Sequence, residues 1–410
     1  MTHVIHTGDT HLGYRQYHRS ERREDFLDAF RQVAADAVDN DVEAVVHAGD
    51  LFHDRRPQLG DIMGALSVLE TLDDADIPFL AVVGNHEAKR SGQWLDLFES
   101  LGLATRLGPD PVVVGDTAFY GLDFVPRAQR DGFDPDFEPH AAAHAALVTH
   151  GLFEPFDFGE WDPREITDPA AVEFDALLLG DNHHPETAQV ADTWVTYCGS
   201  TERASTAERE DRGYNLVTFD DGVDIRRRGL DTREFVYAEV ELTERDSAER
   251  VRERVGEYDL DGAVVVVDVD GEGEPVTPAR VEEYALDQGA LVARVTDHRE
   301  TPDDAEREVS FADPDDAVRE RVHELGLSEA ARGIDETVRA SKVADTNVAD
   351  NVQSRVEGLL EDGEFDAFAA ADSGDKGSAP DSTADSTDEP TTEAASDGGA
   401  DEDATLGDFA

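Results

Sequence analysis

The chain is poor in basic residues, and lysine in particular is nearly missing. Against 95 Asp and Glu stand only 35 Lys and Arg in 410 residues, a formal charge of −60, and the only lysines are Lys89, Lys342 and Lys376. A surface of this sign repels itself in dilute buffer and needs screening by salt. The acid is spread along the whole chain, so the simplest expectation is a protein of a molar-salt cytoplasm, whose carboxylates hold water. An acidic module for a basic partner is the alternative. Such a charge normally argues against nucleic acid, whose phosphates are held by Lys and Arg. In a salt-adapted chain the local placement of arginine carries that information instead.

Cysteine is as scarce. Cys198 is the only one, which excludes an internal disulfide and fits a reducing interior. No apolar run approaches the roughly 18–20 residues of a membrane span. The N-terminus opens on a polar-flanked strand, so neither a membrane segment nor a signal peptide is expected, and a cytoplasmic location is. The apolar fraction of 39% is low yet enough for a core, at least in the first half.

What is present begins as an alternation of strand and helix. Val4–Thr7, Ala44–Ala48 and Phe79–Val83 read as short buried strands. Residues 21–38 carry Phe26, Phe30, Val33 and Ala37 at helical spacing, and residues 59–72 carry Ile62, Leu66 and Leu69. Later strands are expected at Val112–Val114, Ala118–Gly121, Ala146–Thr149, Ala176–Leu179, Trp194–Cys198 and Tyr214–Phe219. This βαβ opening predicts an α/β fold with a parallel-rich sheet covered by helices. Composition shifts near residue 230, and residues 235–296 read β-α-β-α-β, a small second domain. Residues 314–361 look helical and highly charged. From 371 on the chain holds twelve acids and one lysine with almost no apolar residues, and is expected to be disordered.

Five strands stop at polar motifs: Gly8-Asp9-Thr10-His11, Gly49-Asp50-Leu51-Phe52-His53, Gly84-Asn85-His86-Glu87, Thr149-His150-Gly151 and Gly180-Asp181-Asn182-His183-His184. One Gly-Asp after a strand is usually a turn or helix cap. Five in succession are hard to explain by turns. The C-terminal ends of strands in α/β folds converge on one crevice. There these residues would form a mixed oxygen and nitrogen donor set, better suited to Mn2+, Fe or Zn2+ than to Mg2+ or Ca2+ alone.

The order D-x-H, G-D-x-x-H, G-N-H-E, H-G, G-x-x-H resembles the calcineurin-like metallophosphoesterases. The stretches His11-Leu12-Gly13-Tyr14-Arg15-Gln16 and Gly49-Asp50-Leu51-Phe52-His53-Asp54-Arg55-Arg56-Pro57 are narrower. They resemble the DNA double-strand-break repair nucleases of the Mre-eleven/SbcD family. The resemblance implies a sandwich of two sheets flanked by helices over residues 1–230, and a small α/β cap domain over 231–300. A helical partner-binding segment over 301–370 and an acidic tail over 371–410 complete the expected organisation. It implies two Mn2+ ions per subunit, with Asp9, His11 and His183 on one and Asn85, His150 and the residue at 181 on the other. Asp50 would bridge them. His86 would face the scissile phosphate, and His53 would support it or position phosphate. One position departs from the pattern: Asp181 stands where the family has a ligand histidine, and His184 could substitute by a shift of register.

DNA is the substrate the resemblance implies, and local arginine placement agrees with it. Arg15, Arg19, Arg22 and Arg23 follow the first motif, Arg55 and Arg56 the second, Lys89 and Arg90 the third. Phosphate contacts are one reading of them, and salt bridges with Glu21, Glu24 and Asp25 the other. His18 could reach substrate or lie on the surface, and Tyr14 could stack on a base or pack beside the site. The family pairs with an ABC-type ATPase (Rad-fifty/SbcC-like), here expected on residues 328–361, and acts as a homodimer. Leu406-Gly407-Asp408-Phe409 is a candidate docking peptide. The expected function is Mn2+-dependent exonuclease and endonuclease processing of DNA breaks. Rival readings are a phosphatase or phosphodiesterase for small substrates, and a DNA-tethering scaffold with weak nuclease activity.

Overall fold

The structure is a computed structural model that describes residues 1–299 except 90, 91, 131, 132, 134, 135, 274 and 275. Arg90, the segment 301–370 and the tail 371–410 lie outside the described residues. Strands β1 (Thr2–Thr7), β2 (Ala44–His47), β3 (Phe79–Ala81) and β4 (Thr105–Arg106) alternate with helices α1 (Ser20–Asp39), α2 (Leu59–Asp73) and α3 (Trp94–Ser100). Strands β5 (Val112–Val114), β6 (Thr117–Leu122), β7 (His144–His150), β8 (Ala176–Gly180), β9 (Glu186–Val190), β10 (Thr193–Tyr197), β11 (Gly213–Phe219) and β12 (Val223–Gly229) follow, with the short helix α4 (Arg164–Thr167) after β7.

These strands form two six-stranded sheets, β12-β11-β1-β2-β3-β4 and β5-β6-β7-β8-β10-β9. The alternation of side chains along each strand explains why they stack. Val4, Ala44, Val46 and Leu80 of the first sheet meet Phe119, Ala146, Val148, Ala176 and Leu178 of the second in one inter-sheet core. The residues between them point outward. Ile5, Val45, Phe79 and Ala81 pack under the buried stripes Phe30-Val33-Ala34-Ala37 of α1 and Ala65-Val68-Leu69-Leu72 of α2. On the far face, Leu147, Leu177 and Leu179 are covered by Phe137, Phe153, Trp161, Ile166 and Phe174, which come mostly from loops. This is the expected sandwich of two sheets, with helices on one outer face and mostly loops on the other. The expected parallel-rich arrangement is present, since six of the ten described strand pairs in these two sheets are parallel, and the remaining four lie toward the sheet edges. β1 pairs antiparallel with β11, β11 with β12, β5 with β6 and β9 with β10, so both sheets are mixed. β4, β9 and β12 are edge strands that the apolar pattern did not reveal; β4 has two residues, and β12 reads Val-Asp-Ile-Arg-Arg-Arg-Gly.

A third sheet of three parallel strands comprises β13 (Phe235–Leu242), β14 (Val264–Gly271) and β15 (Val292–Asp297), with crossover helices α5 (Ala248–Val255) and α6 (Pro278–Asp287). One face buries Val240, Val265 and Val267 against Val251, Val255, Val281 and Ala285 of the helices. The other presents Phe235, Val264, Val266 and Val292 to Tyr17. Arg22 holds this junction. Its guanidinium is fully buried and donates from Nε to Gln16 Oε1 (2.9 Å), Nη1 to Asp25 Oδ2 (2.6 Å), and Nη2 to Glu202 Oε1 (3.2 Å) and the Arg203 carbonyl (2.8 Å). Asp25 also takes Arg233 through two bonds (2.6 and 2.7 Å). Arg23 pairs with Asp61 at 2.7 Å. Arg22 is therefore engaged inside the protein, where its pair with Asp25 is the salt bridge that the sequence offered as the second reading, and Arg23 sits in a half-buried pair with Asp61. Among the described residues no helix is long and apolar enough to cross a membrane.

Removing one partner of a buried ion pair strands the other charge, at a cost of about 3–5 kcal/mol. Arg22→Ala is expected to lower the unfolding free energy by about that amount even in molar salt, because burial excludes screening ions. Chemical denaturation checks it; a change within about 0.5 kcal/mol, as for an ordinary surface site, would contradict the assignment.

Candidate metal centre

Parallel pairing of β1 with β2 and of β2 with β3 brings three motif-bearing strand ends to one edge of the first sheet. β7 and β8, also parallel, bring His150 and Gly180 to the adjoining edge of the second. The loops beyond are laced together: Asp9 N–H donates to the Gly49 carbonyl (3.0 Å), His11 N–H to that of Asp50 (3.0 Å), and Leu12 N–H to that of Leu51 (2.9 Å). Asp9, His11, Asp50 and Asp181 all have left-handed backbones, with φ of 49°, 44°, 56° and 94°. Non-glycine residues rarely adopt this conformation, and clustered outliers mark sites where the surroundings enforce it.

Three overlapping groups of donor atoms, each within 4.8 Å of one another, result: Asp9-His11-His183, Asp9-Asp50-His150 and His11-His53-His86. His11 Nε2 lies 3.0 Å from His183 Nε2, while Asp50 Oδ2 lies 3.9 Å from His11 Nε2 and 3.5 Å from His150 Nε2. Asn85 Oδ1 is 3.3 Å and Asp181 Oδ1 3.7 Å from the same His150 nitrogen. Asp181 is thus turned into the cluster. His184, its possible substitute, is half exposed and contacts Glu210 at 3.1 Å instead.

The far ring nitrogens are fixed from behind. His150 Nδ1 sits 2.8 Å from the Ala48 carbonyl, which can only accept, so Nδ1 carries the proton and Nε2 faces the carboxylates. His183 Nδ1 sits 2.8 Å from Glu208 Oε1 and is fixed the same way. Asp9 is braced by the Asp181 N–H (3.1 Å), and Asp50 by the His86 N–H (2.9 Å). Burial pushes the Asp9 carboxyl up to about 6 against the pull of His183 and His150. Burial alone would strip His150 of its charge, but Asp50, Asp181 and Asp9 outweigh it and push the imidazole up to about 9. Three carboxylates converge in a dry pocket and draw positive charge to it. Imidazole Nε2 atoms aimed at the carboxylates, whose protons a bound cation would displace, together with braced Nδ1 atoms and oxygen donors, fit a pair of divalent cations.

Two residues that motif spacing did not single out for a role hold this arrangement. Glu87 is buried and accepts from the backbone N–H groups of Leu51 (3.2 Å), Phe52 (3.1 Å) and Gly84 (3.4 Å), tying the second and third motif loops together. The fourth position of Gly84-Asn85-His86-Glu87 was the available signal. Glu208 lies in a loop without regular pattern, and no signal pointed to it. His53 is stacked between Tyr14 (centroids 3.9 Å apart) and His86 (5.1 Å). Burial, then His86 and His183, push its imidazole down to about 3. Tyr14 therefore packs beside the site.

The described candidate basic residues lie in the segments that follow the first three motifs. Arg15, His18 and Arg19 are exposed on the turn between the first motif and α1, and Arg15 Nη2 donates to the His18 carbonyl (3.3 Å). Arg56 is exposed and Arg55 half-buried in the loop after His53. Lys89 Nζ lies over the Trp94 ring at 4.1 Å.

Gly84 tests the closeness of the packing. A Cβ there would run into Asp50 Oδ1 and the Asp50 backbone nitrogen. Gly84→Ala is expected to displace Asp50 and to cost at least about tenfold in Mn2+ affinity, as loss of a ligand's support does. Equilibrium dialysis with Mn2+ measures this; wild-type affinity in a folded variant would contradict the geometry.

The sequence matches the calcineurin-like phosphoesterase family over residues 2–199. It is 64% identical over 375 residues to the DNA double-strand break repair protein Mre11 of Haloferax volcanii, covering 91% of this chain and 85% of that one. It is 57% identical over 381 residues to the protein of the same name from Halobacterium salinarum, covering 91% and 98%. A further relative of that name, from Methanosarcina acetivorans, is 41% identical over 378 residues, covering 88% of this chain and 61% of that one. The acidic, salt-adapted composition fits such hosts. The chain belongs to the Mre11 family of DNA double-strand break repair proteins and carries its calcineurin-like phosphoesterase domain.

Proposed function

We propose that the chain is an Mn2+-dependent DNA exonuclease and endonuclease that processes double-strand breaks, acting with an ABC-type ATPase of the Rad50 kind. The observation that carries this is the position of Asp50. One of its oxygens faces both His11 and His150, so a single carboxylate stands between two donor groups. In our assignment Asp9, His11 and His183 would hold one ion, Asn85, His150 and Asp181 would hold the other, and Asp50 would serve both. Such a pair, when bound, supplies Lewis acidity and a nucleophile from water at neutral pH. Manganese suits the mixture of three carboxylates, an amide and imidazoles. Asp181 replaces a neutral ligand by an anion, which favours retention of the cation at some cost to its acidity.

The protein's own groups do the rest. His86 Nδ1 lies 3.1 Å from the His53 carbonyl, which keeps the Nδ1 proton in place. We assign its Nε2 to the scissile phosphodiester, where the doubly protonated ring would steady charge or hand its Nε2 proton to the leaving oxygen. His53, neutral and clamped by Tyr14, acts as the rigid back wall for that ring. Arg15, His18, Arg19, Arg55, Arg56, Lys89 and Arg90 are our candidates for backbone phosphate contacts, which fix register without reading sequence. In this organisation residues 1–230 form the nuclease domain and 231–300 a cap. Residues 301–370 bind the ATPase, and 371–410 form the acidic tail. We infer a homodimer in the cytoplasm.

Loss of a general acid or base costs about 10²–10⁴ in rate. His86→Asn is expected to lower Mn2+-dependent DNA cleavage in high salt by that factor while DNA binding and Mn2+ binding persist. Undiminished cleavage would overturn the role of His86. Release of phosphate from mononucleotides without cleavage of DNA by wild type would favour a small-substrate phosphatase.

A further inference from the structure

We propose that Glu208 is a positioning residue for His183, one that sets which ring nitrogen carries the proton and thereby whether the first ion can bind; this rests on the two-metal reading above. Glu208 is one of the few carboxylates among the described residues with a side chain only 4% exposed, and each of its oxygens has a defined task. Oε1 sits 2.8 Å from His183 Nδ1. Oε2 accepts from Ser200 Oγ (3.0 Å), the Ala204 N–H (3.1 Å) and Arg212 Nη1 (3.3 Å). Arg212 is itself fully buried and donates from Nη1 to the His183 carbonyl at 2.9 Å, so the same arginine holds the histidine's backbone and its orienting carboxylate.

The Glu208 backbone is held from the other side. Its carbonyl accepts from Arg203 Nε (3.1 Å), and the Arg203 guanidinium lies over the Phe235 ring at 5.4 Å. The neighbouring Arg209 bonds Glu239 of β13 at 2.6 Å. The loop carrying Glu208 is thus fixed between the metal pocket and the third sheet, so the carboxylate has little freedom to turn.

This geometry makes the isosteric amide informative. Three donors face Oε2, so in Glu208→Gln the amide oxygen belongs on that side and the NH2 group on the side of His183. An NH2 group facing Nδ1 requires a lone pair there, which moves the imidazole proton to Nε2. Nε2 is the nitrogen that faces His11 and the proposed ion, and a protonated nitrogen cannot ligate. A carboxylate in this place raises the basicity of the ligand as well as orienting it, and losing such a partner typically costs about 10–100-fold in metal affinity.

The test is titration of the full-length apoprotein with Mn2+ alone, followed by electron paramagnetic resonance for number and affinity of bound ions, beside thermal unfolding of the apoprotein. Wild type is expected to bind two ions. Glu208→Gln is expected to bind one with wild-type affinity and the other about 10–100-fold more weakly, with the apoprotein melting temperature unchanged. Ser200→Ala, which removes one of the three donors to Oε2, is the second variant should the first not fold, and is expected to weaken the same single ion by a smaller factor. Two ions bound at wild-type affinity by the variant would overturn the role of Glu208. So would equal weakening of both ions together with a lower apoprotein melting temperature, which is the mark of a purely structural carboxylate. A wild type that binds no Mn2+ would instead contradict the two-metal reading of the pocket.

Discussion

Everything near the working edge of this molecule follows from crowding three carboxylates. Asp9, Asp50 and Asp181 are driven into one dry pocket by the ends of strands belonging to two different sheets. Left-handed backbones at all three residues hold them there. Like charges this close oppose folding unless positive charge is brought in. Imidazoles do part of this, and the aim of their Nε2 atoms at the carboxylates fits divalent cations that complete it. The neighbouring architecture makes that tension tolerable: Glu87 ties two loops by their N–H groups, and Ala48 and Glu208 fix the outer nitrogens of His150 and His183.

The strand-end motifs made much of this legible in advance. A strand followed by Gly-Asp or Gly-Asn, repeated along the chain, identifies the parallel edges without any knowledge of tertiary structure, because only strand C-terminal ends collect polar residues at one crevice. The antiparallel edges were hidden because β9 and β12 are half exposed and carry mixed side chains, so no periodicity distinguishes them from loops. Glu208 was hidden for another reason: its role depends on a loop far from His183 in sequence, and only tertiary contact reveals it. Arg22 was ambiguous rather than hidden. Its position beside the first motif left substrate contact and salt bridging both open, and burial with pairing to Asp25 and Glu202 decides for the second.

That contrast bears on how an acidic, salt-adapted protein uses its few cations. Surface ion pairs contribute little and are screened in molar salt. Buried arginines are protected from that screening. Arg22, Arg203 and Arg212 sit inside the protein at the seam between the sandwich, the loop of residues 200–212 and the third sheet. Each donates to backbone carbonyls, and Arg22 and Arg212 to carboxylates as well, a task for which the planar five-donor guanidinium is suited and lysine is not. The near absence of lysine is consistent with such use of arginine. Arg15, Arg19 and Arg56 remain on the outer surface beside the motifs.

The two-metal chemistry requires Asp50 to lie between two ions. Anomalous diffraction from crystals equilibrated with Mn2+ addresses it directly. Two manganese peaks about 4 Å apart on either side of Asp50 are predicted, with His183 on one and His150 and Asp181 on the other. A single peak, or a second ion held by His184 with Asp181 turned away, would contradict it.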